Sequence, residues 1–141
     1  MYEGLVASPD FKKADDYAKK GNYNASLGEY EKILTQYPRV GDMALFEMGI
    51  IYLSARNQHK DYQKSVECFQ KLMKNYPNSK YRQNSDIMIS LLTQIISRDK
   101  RMMSQKRQID ELVQQVETFE KKMEQMKEVD MSLKQKKKAL P

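Results

Sequence analysis

One cysteine, one histidine and no tryptophan occur among the 141 residues. A lone cysteine closes no internal disulfide and builds no thiolate metal cage. Cys68 stands beside Phe69 in an apolar stripe, which marks it as a small packing residue. His59 falls in the polar stretch 54–60 with no second imidazole as partner, so it reads as a loop residue facing solvent. Catalysis needs groups converging from separate elements. The carboxylate pairs Asp15/Asp16 and Glu29/Glu31 are one or two apart on expected helices and point different ways. The sequence therefore predicts no enzyme: no catalytic residue, no cofactor and no metal. Four prolines and five scattered glycines leave no phosphate-cradling loop, and β-branched runs are missing, which argues against a sheet. No stretch approaches the roughly 20 apolar residues of a membrane helix, and the N-terminus has no apolar signal core.

What the chain does have is one pattern written twice. Tyr23, Ser26, Leu27, Tyr30, Ile33, Tyr37 and Pro38 return at the same spacing as Tyr62, Ser65, Val66, Phe69, Leu72, Tyr76 and Pro77. Residues three and four apart place one apolar stripe on a helix, and each stripe stops at a proline that cannot continue it. Two such helices in register imply a stacked repeat whose output is recognition. Around them, Ser8-Pro9-Asp10 reads as a helix start, with Phe11, Ala14, Tyr17 and Ala18 on one face and an end at Gly21-Asn22. A second helix is expected from about Asn24 to Tyr37. A third follows Gly41-Asp42 and carries Leu45, Met48, Gly49 and Tyr52, and its partner runs from about Asp61 to Tyr76.

This pattern resembles the tetratricopeptide repeat, two antiparallel helices in about 34 residues. The second repeat matches at Leu45, Met48, Gly49, Tyr52, Tyr62, Ser65, Phe69, Leu72 and Pro77. The first matches at Ala14, Tyr17, Gly21, Tyr23, Ser26, Tyr30, Ile33 and Pro38, with Asp10 and Lys13 departing from it. The two prolines lie 39 residues apart, and the surplus over the family period falls mostly in Ser54–Lys60, where a longer loop costs little entropy. Tyr76-Pro77-Asn78-Ser79-Lys80-Tyr81 is similar to tetratricopeptide lipoproteins of bacterial outer-membrane assembly and to the periplasmic repeat protein linked to cell division. That likeness implies a bacterial periplasmic, outer-membrane-associated setting if Met1-Tyr2-Glu3-Gly4 is the start of a chain trimmed of its export signal, and a cytoplasmic one otherwise.

The resemblance also implies a concave groove lined by the first helix of each pair. Transferred residue by residue, its positions are Phe11, Asp15, Ala18 and Lys19, then Met43, Phe46, Ile50 and Leu53. Phe46, Ile50 and Leu53 are expected to form an apolar patch for a protein segment, with packing on the next helix as the alternative. Asp15 and Ile50 replace the asparagines of the clamp by which some members hold a C-terminal carboxylate, which disfavours that ligand.

From Tyr81 onward no proline or glycine occurs before Pro141, so one helix is expected to about Lys137. Its first turns, through Met88, Leu91, Leu92 and Ile95, are expected to cover the edge of the second repeat. Further on, Ile109, Leu112, Val116, Phe119, Met123 and Met126 alternate three and four apart, the a and d positions of a heptad seam. The same frame places Ile95, Arg98, Met102 and Gln105 upstream, and Asp130 and Leu133 downstream. So much apolar surface on one helix calls for a partner, either a second copy or another helix through 109–126. The net charge of +6 is concentrated here, with +4 after Ile96 and a cluster at Lys134, Lys136, Lys137 and Lys138. That cluster suits the negative pole of a helix end better than specific nucleic-acid readout, which lacks the aromatic interleaving it needs.

The expected architecture is all-α: about two and a half tetratricopeptide-like hairpins over 8–97, then a long coiled-coil helix over 98–138. The expected function is an adaptor that binds a protein segment and oligomerises or docks through its coil. The alternative is a structural spacer whose repeats only cap or anchor the coil.

Overall fold

The computed structural model describes residues 2–140, and among them it contains five α-helices and no strand. They are α1 (Tyr2–Lys19), α2 (Tyr23–Gln36), α3 (Gly41–Leu53), α4 (Tyr62–Asn75) and α5 (Arg82–Ala139), with a 3₁₀ turn at Pro38–Val40 between α2 and α3. By its contacts the chain divides into two compact units, 1–97 and 98–141.

In the first unit α1 pairs with α2, α3 pairs with α4, and α2 packs on α3. The repetition reaches the backbone. Asn22 caps α2 by accepting from the Ala25 N–H, and Asp61 caps α4 by accepting from the Lys64 N–H. At the far ends Tyr37 and Tyr76 leave the helix at φ −130°, ψ 67° and φ −130°, ψ 68°. Each precedes a proline, whose ring excludes the helical conformation from the residue before it. Each also donates its N–H four residues back, to Ile33 and Leu72, at 2.8 Å.

Within each hairpin a serine marks the crossing. Ser26 Oγ donates to the Ala14 carbonyl, and Ser65 Oγ donates to the Gly49 carbonyl, both at 2.7 Å. The serines and the alanine are fully buried, and a side chain on Gly49 would meet the Phe69 ring at 2.7 Å. Small residues thus bring the helices close, and the hydroxyls are satisfied where they lose water. Around these crossings Leu27, Tyr30, Ile33, Ala44, Met48, Ile51 and Cys68 form one core; Val66, Phe69 and Leu92 form a second.

Two sequence expectations are corrected. The first helix starts at Tyr2, not at Ser8, and runs through Pro9. Pro9 removes one helical hydrogen bond, a local cost that made the sequence read as a start. Tertiary contacts offset it: Ala7 is fully buried, and Glu3 Oε2 accepts the Arg39 N–H at 2.9 Å. The turns of α5 that cover the second core use Met88, Ile89, Leu92 and Ile96, whereas Leu91 and Ile95 are exposed. Both sets fit a helical stripe, and contact with Phe46 and Phe69 decides which one faces inward. The 54–60 stretch is an organised turn: Asn57 is buried, donates from Nδ2 to the Ile51 carbonyl at 3.1 Å, and accepts the His59 N–H at 2.9 Å. His59 itself is exposed.

The two repeats are joined at Gly41. Tyr76 donates its hydroxyl to the Pro38 carbonyl at 2.7 Å, linking the end of the second hairpin to the end of the first. Any Cβ at Gly41 would collide with that hydroxyl and approach Leu34 Cδ2 at 3.0 Å. Gly41→Ala is therefore expected to cost about 1–3 kcal/mol, and less in a Tyr76→Phe background, where the colliding oxygen is gone. Denaturant unfolding of the four chains of that cycle measures the coupling; strict additivity would contradict it. Burial also pushes the Cys68 thiol from 9.0 up to about 11. A raised value in the folded state means the contribution of Cys68 is intact below about pH 9 and is lost as pH rises toward 11, by up to about 2–3 kcal/mol. Cys68→Ala should lose less stability over that interval than the parent chain.

Candidate recognition groove

The helix α1 and the helix α3 carry their inner-face residues about one helical turn apart. Phe11 and Met43 begin the series, Asp15 and Glu47 follow one turn later, and Lys19 and Ile50 come after them. The first step lines a cavity of about 310 Å³ with Gly4, Ser8, Val40, Asp42, Lys80 and Tyr81. Its aromatic walls are fixed from behind. Phe11 rests on Tyr30 at 6.1 Å between ring centroids, and Tyr81 stacks on Phe46 at 4.9 Å. Ser79 holds the approach to Tyr81 by donating to Asp42 Oδ2 at 2.5 Å and accepting the Tyr81 N–H at 3.1 Å. The Lys80 ammonium lies over the Tyr81 ring, 5.1 Å from its centre.

The second step is acidic. Burial, and then the charge of Asp15, raise the Glu47 carboxyl above the usual range. The same two carboxylates, after burial, raise the Tyr30 hydroxyl. Lys19 pairs with Asp15 at 2.5 Å, so of these two carboxylates it is Glu47 that has no salt-bridge partner among the described residues.

The residues expected to line the groove divide into two groups. Phe11 and Met43 line the cavity, Asp15 and Lys19 form an ion pair beside it, and Ile50 is exposed. Phe46 and Leu53 instead pack against the second core of Val66, Phe69 and Leu92. Phe46 meets Phe69 edge-on at 5.6 Å, so the expected patch of Phe46, Ile50 and Leu53 standing open together does not form. Ala18 packs on the first core. Sequence reasoning missed Gly4 and Ser8, which reach the cavity through the early start of α1, Val40 and Asp42, which come from the junction of the 3₁₀ turn with α3, and Lys80, which comes from the bend before α5. Tyr81 and Glu47 were missed as well; the signal for Glu47 was the four-residue step from Met43, and that for Tyr81 its place as the bulky residue just before the long final helix.

No three side chains among the described residues group as metal ligands, and no described helix is long and apolar enough to cross a membrane. In the second unit Ile109, Leu112, Val116, Phe119, Met123 and Met126 are all 54–71% exposed. The seam is present and uncovered.

Because the folded-state value of Glu47 is raised, its ionisation opposes folding as pH rises above the ordinary carboxylate range. Glu47→Gln is expected to raise stability at pH 7 by about 0.5–1 kcal/mol, with the advantage vanishing as pH falls and the native carboxyl takes up its proton. Thermal melts across that range check both parts; a variant less stable at neutral pH would contradict them.

The comparisons with known proteins agree with the hairpin formed by α3 and α4. No curated protein and no solved structure matches the chain. Residues 43–79 match the tetratricopeptide repeat family model. These residues make α3, α4 and the turn that leads toward α5, so it is the second hairpin that matches a tetratricopeptide repeat.

Proposed function

We propose that the protein is an adaptor that holds an extended segment of a partner protein across α1 and α3 and multiplies that contact by self-association through α5. The observation that carries the first half is the cavity of Phe11, Met43 and Tyr81 followed one turn later by Glu47. An apolar side chain fills the cavity, and a lysine or arginine beyond it meets a carboxylate that burial has left short of charge compensation. The exposed seam at 109–126 supports the second half, since a paired coil would cover those apolar residues and bring two grooves together.

The variant chosen to test the groove must spare the core. Phe46 and Leu53 pack inside, so Met43→Ala/Ile50→Ala, both at exposed positions, is the informative change. It is expected to leave the melting temperature within a few degrees while weakening capture of the partner at least tenfold, about 1.4 kcal/mol. A partner retained at full strength by this variant would remove the groove from the reading. The similarity of the Tyr76–Tyr81 segment to envelope repeat proteins supports a bacterial envelope setting, which fractionation of the source cells checks.

A further inference from the structure

The charges that flank the seam distinguish among the ways two copies of α5 can pair. We propose that the second unit forms an antiparallel two-helix coiled coil with a second copy of this chain, its two-fold axis passing beside Gln114. This rests on the self-association reading above and adds its direction and register.

The argument starts from the polar interruptions of the seam, Arg98 and Gln105 upstream and Asp130 downstream. In a parallel, in-register pair each core position meets itself, which sets Arg98 against Arg98 and Asp130 against Asp130. The flanking positions fare no better, since Arg101 faces Lys106 and Lys122 faces Lys127 of the second copy. All are like charges at close range, and no opposite pair compensates them.

In an antiparallel pair a positions meet d positions, and the flanking contacts run e to e and g to g. With the axis at Gln114, Ile109 meets Phe119, Leu112 meets Val116, and Met102 meets Met126 of the second copy. Arg98 then meets Asp130, so the two charged interruptions neutralise each other at both ends of the coil. The flanks agree: Lys106 faces Glu120, Asp99 faces Lys127, Val113 faces its own counterpart, and no like charges meet at e or g. Sliding the copies by one heptad, so that Val116 meets Phe119, loses this match. Arg98 then meets Lys137, Lys106 meets Lys127, and Arg101 meets Lys136.

The surface of α5 has a seat for the charged pair. A groove on the helix is lined by Met126, Val129, Asp130 and Leu133, with Lys122 and Gln125 at its edge. Positions d, g, a and d are the four that form a hole for an incoming d residue in an antiparallel coil. In the proposed register that residue is Arg98, whose aliphatic stem lies along Met126, Val129 and Leu133 while its guanidinium reaches the Asp130 carboxylate. Asp130 is held only by exposed Lys134, at 3.6 Å, a contact too weak to keep it from a better partner.

The test is a distance between two copies. A spin label at Glu128→Cys, in a Cys68→Ala background, sits on the outer face of the coil. Fourteen residues from the axis on each copy place the labels about 42 Å apart along it, or about 47 Å overall once the width of the coil is added. The slipped antiparallel register gives about 38 Å, and a parallel pair about 25 Å or less. Arg98→Asp and Asp130→Arg should each weaken the dimer about tenfold, and the chain carrying both should return to within about threefold of the parent. A dimer with the short distance, or one in which the two reversals show no mutual rescue, overturns the orientation and register while leaving self-association standing. Sedimentation as a strict monomer at all concentrations overturns self-association, and this inference with it.

Discussion

The close crossing of paired helices is the constraint on which the first unit depends. In each hairpin a buried serine donates its hydroxyl to a carbonyl of the opposing helix at 2.7 Å, and that approach is available only because Ala14 and Gly49 offer no bulk there. A wider crossing would strand both hydroxyls without water or partner, and it would pull Phe69 out of the contact that closes the second core. The spacing of the hairpins follows from the same geometry. With α1 and α2 locked together, and α3 and α4 likewise, the tyrosine that ends the second hairpin reaches the proline that ends the first.

From that rigid stack comes the groove. The helices α1 and α3 stand side by side with their inner residues in step, so one cavity and one acidic turn arise from four-residue repeats on two helices. Neither helix makes the site alone. Tyr81 completes the wall because Ser79 ties the approach to α5 to Asp42 at the start of α3, and because Phe46 supplies a ring on which Tyr81 stacks. The cost falls on Glu47, a carboxylate partly withdrawn from water next to another, an arrangement that opposes folding.

The second unit follows different physics. The apolar seam residues from Ile109 to Met126 stand exposed, so in the proposed pairing the pattern of the sequence itself specifies what they meet. Apolar a and d residues favour association, while Arg98 and Asp130 set the penalty for the wrong orientation. In the proposed pairing the charged interruptions of the seam carry its specificity.

The sequence by itself determined the helical class, the two hairpins, their closing prolines and the spacing of the seam. Each of these rests on local rules: a ring that blocks a helix, a spacing that makes a face. The resemblance pointed to Phe11 on α1 and Met43 on α3, and these two line one cavity. Only the tertiary structure decided that α1 continues through Pro9, that Phe46 and Leu53 turn to the core, and that Leu92 rather than Leu91 faces inward. In those cases the local pattern allowed two outcomes. Burial against a particular neighbour, Val40 and Arg39 for the start of α1 and Phe69 for α5, chose between them. A one-dimensional pattern reports which residues share a face, whereas which face meets water is settled by the partner that reaches it first.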